Sequence, residues 1–401
     1  MQQRTVLYVL SWLATACAGV SATLFSVYMP ALAAKLYGTA SPETIATVGS
    51  WAGATYLLGW TVGGILLGAI GDRIGRKTTF VASVIACSVG MMLTAAAGAM
   101  PLLLISRFVT GAGAGGILLV TAVMVSEAWV HGNRARMVGI LINAFPMGFV
   151  VVGGIHALVG DVQWAFLLGS SSIILSVFIV GLVHESHMWQ LKQHQVQNAN
   201  RSTVFAPQQR RDLAVGIVLF GSMLIGLWAA YTWMPAWVSS ISIPAHAQSN
   251  RAFTVALLGL GAVVGGIVSG GASNRWGRRP AAAAGYVGAA VLSLFVFAGS
   301  HQPGALLAIL TFIISFFIGY NQGVLTGYLP ELFPTLQRGF AVGVCFNSGR
   351  LITTVTVFFV GVLVTALGGY NKAILAFSVA YIVGLIALLF ARETKGQALP
   401  D

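Results

Sequence analysis

The chain has 401 residues, of which 57% are hydrophobic and only 7% charged; a soluble domain carries about 25% charged residues, so a water-soluble globular protein is excluded. The net charge of +12 does not indicate a nucleic-acid binder, because most of the cations fall in short segments between apolar stretches. Cys17, Cys87 and Cys345 lie in three separate apolar stretches, which indicates neither a disulfide framework nor a metal site.

A membrane-spanning helix takes about 20 apolar residues. The pattern predicts twelve, at 5–34, 45–70, 78–99, 102–127, 137–158, 163–183, 213–239, 252–272, 280–299, 304–329, 339–366 and 371–391. The first apolar stretch leads directly into further spans, so it reads as a membrane helix and not as a cleavable signal. Its middle, ACAGVSATLF, holds no carboxylate. Helix 2 is striped with glycine and ends in a basic turn. Helix 4 carries Arg107 and the run GAGAGG at 111–116. That run sits inside an apolar helix with no strand before it, which argues against a nucleotide-binding loop. Helix 5 contains Asn143, Pro146 and His156, and helix 6 begins near Trp164. A polar segment at 184–212, rich in Gln, Asn, Arg and His, separates six helices from six. Helix 7 carries Trp228, Tyr231, Trp233 and Trp237; helix 10 carries Tyr320, Asn321 and Gln322; helix 11 carries Asn347 and Arg350.

The two sets of six helices repeat one another. GWTVGGILLGAIGDRIGRKT at 59–78 recurs as GAVVGGIVSGGASNRWGRRP at 261–280, an offset of 202. Arg73 and Arg76 fall on Arg275 and Arg278, while Asn274 stands where the first copy has Asp72. SEAWVHGNRARMVGILIN at 126–143 matches PELFPTLQRGFAVGVCFN at 330–347, which pairs Glu127 with Glu331, Arg134 with Arg338 and Asn143 with Asn347. A third echo closes each half, HESHMW around Glu185 and RETKG around Glu393. The predicted fold is therefore an all-α membrane protein of twelve transmembrane helices in two pseudo-symmetric six-helix bundles, 1–183 and 213–401, joined by a cytoplasmic linker at 184–212. Two such repeats are the mark of a secondary transporter.

With the N-terminus inside, sixteen of the twenty-one Lys and Arg lie on the cytoplasmic side, and only Lys35, Arg251 and Lys372 lie outside. That bias predicts a multi-pass protein of the inner membrane with both termini cytoplasmic. Arg107 and Arg350 remain within the membrane.

These motifs carry a family resemblance that covers the whole chain. GAIGDRIGRKT resembles the signature loop between helices 2 and 3 of the major facilitator superfamily, and Arg107-x-x-x-Gly111 its helix-4 motif. HESHMW and YLPELFPTLQRG are similar to segments of its sugar, organic-cation and aromatic-acid branches. YTWMPAW and CFNSGR look most like the bacterial aromatic-acid and sialate symporters. The resemblance implies alternating access and a cytoplasmic gate.

The residues fit such a gate. Acids are scarce, and five of the nine stand at cytoplasmic helix ends near arginines: Asp72, Glu127, Glu185, Glu331 and Glu393. With Arg73, Arg76, Arg134, Arg275, Arg278 and Arg338 they form a candidate salt-bridge network between the halves; solvated surface pairs of about 0–1 kcal/mol each are the plainer reading. The glycine stripes allow close helix packing and sliding. An arginine at mid-membrane costs about 2.5–3.5 kcal/mol and so faces a cavity or a partner. Arg350, with Asn347 three residues earlier on the same helical face, suits two-pronged capture of a carboxylate. Arg107 suits either substrate contact or a clamp onto backbone carbonyls. Asn143, Trp228, Tyr231, Tyr320 and Asn321 complete the candidate substrate-binding set, with Trp164 and Trp237 as interfacial anchors.

Coupling departs from the family. The aromatic-acid branches carry Asp in the middle of helix 1, where this chain has Ala18 and Ser21. Importing a monoanion against an inside-negative potential costs about 2.3 kcal/mol per 100 mV. His156 is the candidate proton site; protonation of the substrate itself, anion exchange and export are the other routes. The reading is a transporter of a small organic anion, a monomer in the lipid bilayer, without cofactor, metal, nucleic-acid partner or enzymatic activity. A multidrug or metabolite exporter and a transporter-like sensor are the alternatives.

Overall fold

A computed structural model describes residues 2–129, 134–186, 189–190, 207–299, 301–333 and 338–396, those at 2, 72, 134–136, 208 and 338–340 by their backbone alone. Among these residues are twelve helices long and apolar enough to cross a membrane. In the first half they are α1 (Gln3–Tyr37), α2 (Pro42–Gly71), α3 (Arg76–Ala96), α4 (Met100–Ala128), α5 (Met137–Leu158) and α6 (Val162–Leu182). In the second they are α7 (Gln209–Ser240), α8 (Ala247–Trp276), α9 (Arg278–Ala298), α10 (Ala305–Leu332), α11 (Ala341–Leu367) and α12 (Tyr370–Phe390). Contacts divide the chain into two compact units, Met1–Arg201 and Ser202–Asp401. Most of the expected linker lies outside the described residues.

Each expected span appears, and the differences are at the ends. α7 begins earlier than its apolar run and takes in Asp212, which is 3% exposed and ion-paired with Arg392. α8 also begins earlier, and this changes the place of Arg251. It was expected in a segment outside the spans, but it lies inside the helix and is 1% exposed.

Local chemistry sets several helix ends. The Ser41 hydroxyl accepts the Thr44 backbone N–H at 3.2 Å, with Pro42 just inside α2, the arrangement that satisfies a helix start. Asp161 does the same for α6, accepting from the Gln163 and Trp164 N–H groups at 2.9 and 3.1 Å. Gly368, in the left-handed region at φ +73°, ends α11.

The glycine stripes are packing faces within each half. α2 lies along α4, and α8 along α10. A Cβ at Gly63 would overlap the Ala112 backbone, and one at Gly265 the Phe316 backbone. Gly63→Val is therefore expected to cost roughly 1–3 kcal/mol through overpacking, read as a lower thermal midpoint in detergent. Gly64→Ala, whose Cβ would meet nothing nearer than 3.8 Å, is expected to leave that midpoint unchanged.

Candidate functional site

The basic turns put Gly75 and Gly277 at the N-caps of α3 and α9, with φ +111° and +105°. Glycine supplies no side-chain acceptor there, so the first N–H groups of each helix need another partner. A distant carboxylate provides it. Glu185, 109 residues beyond Arg76, accepts the Arg76 N–H at 2.8 Å and the Lys77 N–H at 3.1 Å. Glu393, 115 residues beyond Arg278, accepts the Arg278 and Arg279 N–H groups at 2.9 and 3.0 Å. A Cβ at either glycine would collide with this carboxylate. Burial raises the Glu393 pKa, but the N–H groups of Arg278, Arg279, Lys395 and Thr394 outweigh it and hold the group below the usual carboxylate range.

The side chains of the same arginines meet a second pair of acids. Arg278 grips Glu331 in two-pronged fashion, Nη2 to Oε1 at 2.8 Å and Nε to Oε2 at 3.0 Å. Arg76 approaches Glu127 at 3.9 Å. Glu127 accepts the Ser186 hydroxyl at 2.5 Å, and Glu331 that of Thr394. Asn274 accepts a hydrogen bond from Arg278 at 3.1 Å, so the residue that replaces an acid still serves the arginine. Each of these contacts joins residues of one half. Arg73 and Arg275 are exposed and make no ion pair among the described residues. The side chains of Asp72, Arg134 and Arg338 lie outside the described residues.

Four participants were not anticipated from sequence: Ser186, Thr394, and the pair Asp212 and Arg392. Ser186 and Thr394 directly follow the two capping glutamates, and that shared offset was the available signal. Asp212 and Arg392 gave no such signal: they pair at 2.7 Å, and Arg392 also donates to the Leu332 carbonyl at 3.0 Å.

Within the membrane, Arg107 is 1% exposed. Its Nη1 donates to the Ser21 carbonyl of α1 at 3.1 Å. Its guanidinium lies 4.7 Å from the Phe25 ring centre and 4.4 Å from that of Tyr56, close enough for cation–π attraction. Its Nε has no hydrogen-bond partner, and no acid reaches it among the described residues. Arg107 is thus held to one backbone carbonyl of α1, with its charge unneutralised by any acid among the described residues. Arg350 is half-buried and donates from Nη1 to Asn347 Oδ1 at 3.4 Å. Asn347 in turn donates to the Gly343 carbonyl at 2.9 Å, so its amide orients the guanidinium. Asn143 stands at a turn that interrupts α5.

The aromatic candidates are buried within the second half. Tyr231 meets Ser315 at 3.2 Å, and Tyr320 stacks on Phe316 at 6.1 Å with its hydroxyl unpartnered. Trp228 and Asn321 are buried; Asn321 faces Gly285 of α9. Trp164 is 67% exposed, as an interfacial anchor is, but Trp237 is 5% exposed and packs edge-on against Phe297. Trp237 is a core residue, because it faces α9 and not the rim. His156 lies in the last turn of its helix, with Nδ1 3.3 Å from the Tyr28 hydroxyl.

Residues 11–258 match the family model described as Major Facilitator Superfamily, and residues 240–401 that described as sugar (and other) transporter. The chain belongs to the Major Facilitator Superfamily. It is a multi-pass membrane transporter. The structure of a D-xylose-proton symporter shares the fold, with a TM-score of 0.80 over 98% of this chain and 99% of that one, at 17% identity. A probable 4-methylmuconolactone transporter of Cupriavidus pinatubonensis is 28% identical, covering 94% of this chain and 88% of the relative. The niacin transporter of Acinetobacter baylyi is 25% identical, over 87% and 86%. The gentisate transporter of Corynebacterium glutamicum is also 25% identical, over 87% and 79%. The superfamily expected from the motifs is the one found, and the relatives above are named for 4-methylmuconolactone, niacin and gentisate.

Proposed function

We propose that this transporter moves a small carboxylate-bearing organic anion across the inner membrane by alternating access, with both termini in the cytoplasm. The observation that carries the reading is Arg107, a buried guanidinium that no acid neutralises among the described residues. Burying a charge is costly unless it is paired and hydrogen-bonded; the Ser21 carbonyl and two ring faces offset part of that cost, and a substrate carboxylate would supply the opposite charge. Arg350, oriented by Asn347, offers the second half's cation. Relatives named for muconate, gentisate and sialic acid support the same substrate class, and the cytoplasmic excess of Lys and Arg supports the orientation.

The repeated sets of capping glutamate, arginine and second glutamate are the parts of a cytoplasmic gate, which sets the end of α3 against α4 and α6, and that of α9 against α10 and α12. Asp72, Arg134 and Arg338 belong to the same gate.

Uptake into proteoliposomes of gentisate, nicotinate, cis,cis-muconate and sialate tests the substrate class. Vesicles are run both with and without the same acid inside. At least one acid is expected to enter, and Arg107→Ala and Arg350→Ala are each expected to reduce that entry at least tenfold. Entry of a neutral sugar or drug with no acid moving would reject the carboxylate reading.

A further inference from the structure

A carrier that returns empty has to reorient without its substrate, and whether it can do so depends on the charges the empty interior keeps. The nine acids of this chain are Glu43, Asp72, Glu127, Asp161, Glu185, Asp212, Glu331, Glu393 and Asp401. Each lies within four residues of a span end or outside the spans. Arg107 by contrast stands well inside α4, bound only to the Ser21 carbonyl and two ring faces among its described contacts. No protonation step in the protein can replace a lost anion at that depth. Arginine does not titrate near neutral pH, and no carboxylate stands at that depth. Among the described residues His156 is the one histidine within a span, and it sits in the last turn of α5 beside Tyr28.

We infer that this transporter is an obligatory anion exchanger. On the view that its substrate is a carboxylate, the return leg requires a second small anion, an organic carboxylate or inorganic phosphate, to sit on Arg107. One monoanion moves in for each that moves out, and no net charge crosses. Ser21, whose carbonyl binds Arg107 and whose hydroxyl is 3.4 Å from the Tyr56 hydroxyl, marks the place where a carboxylate would remove that requirement.

The test uses the acid panel with purified full-length protein in three sets of vesicles. They contain the same unlabelled acid, potassium phosphate, or a zwitterionic buffer alone. Exchange predicts entry of labelled acid at least tenfold faster into acid-loaded vesicles than into buffer-only ones, with no stimulation of the latter by an inward proton gradient. The phosphate set distinguishes an inorganic counter-anion from an organic one. The variant S21D is expected to gain net entry into buffer-only vesicles, a gain that misfolding cannot produce. Equal entry into loaded and empty vesicles, or gradient-driven entry into empty ones by wild type, overturns exchange while leaving the carboxylate reading intact. No acid entering any vesicle rejects the carboxylate reading, and exchange with it.

Discussion

Glu393→Ala is expected to lower the thermal midpoint of the purified protein by several degrees and to cut transport at least tenfold. The substitution strips the Arg278 and Arg279 N–H groups of their acceptor, along with those of Thr394 and Lys395. Loss of a helix cap costs about 0.5–2 kcal/mol, and the partial exposure of the site keeps the figure within that range. Its pH dependence has a definite sign. Because the folded pKa is held low, the contribution is complete above the ordinary glutamate value of about 4.3 and is lost as pH falls through the depressed one. The gap in midpoint between wild type and variant should therefore persist at pH 7 and pH 6 and close in strong acid. A constant gap down to the lowest tolerated pH would show that the carboxylate is not the cap. Glu185→Ala is likewise expected to lower the midpoint and cut transport through the start of α3, since it holds the matching N–H groups.

Arg350→Lys is expected to raise the KM for the transported acid about 10–100-fold, equivalent to about 1.4–2.8 kcal/mol, with the thermal midpoint unchanged. An ammonium is a point charge and cannot reproduce the planar fork that grips both carboxylate oxygens. Asn347→Ala is expected to raise KM by less, because Asn347 holds the guanidinium and does not itself carry the charge. Saturation kinetics of both variants in proteoliposomes check the order of the two effects. An unchanged KM in Arg350→Lys would remove Arg350 from the substrate site.

Sequence by itself determined the architecture, since helix length and apolarity are properties of each segment alone. All twelve spans and the two-fold repeat were legible in this way, and so were the scarce acids at helix ends. The motifs pointed to its superfamily because glycines, arginines and acids recur at fixed offsets in both halves. Only the tertiary structure decided what those residues touch. The Glu393 carboxylate serves the backbone of α9 across 115 residues of chain, and no local pattern states that a cap will come from so far away. Arg251 was read as lying outside the spans, but it is buried within α8, because its surroundings are set by the packing of the second half and not by its neighbours in sequence. Asp212 and Arg392 lie 180 residues apart and carry no shared motif. Arg107 shows the division most clearly: sequence placed a charge in the membrane, and packing left it on a carbonyl and two rings with no acid beside it. A charge is written in one residue, whereas its neutralisation depends on every helix packed around it.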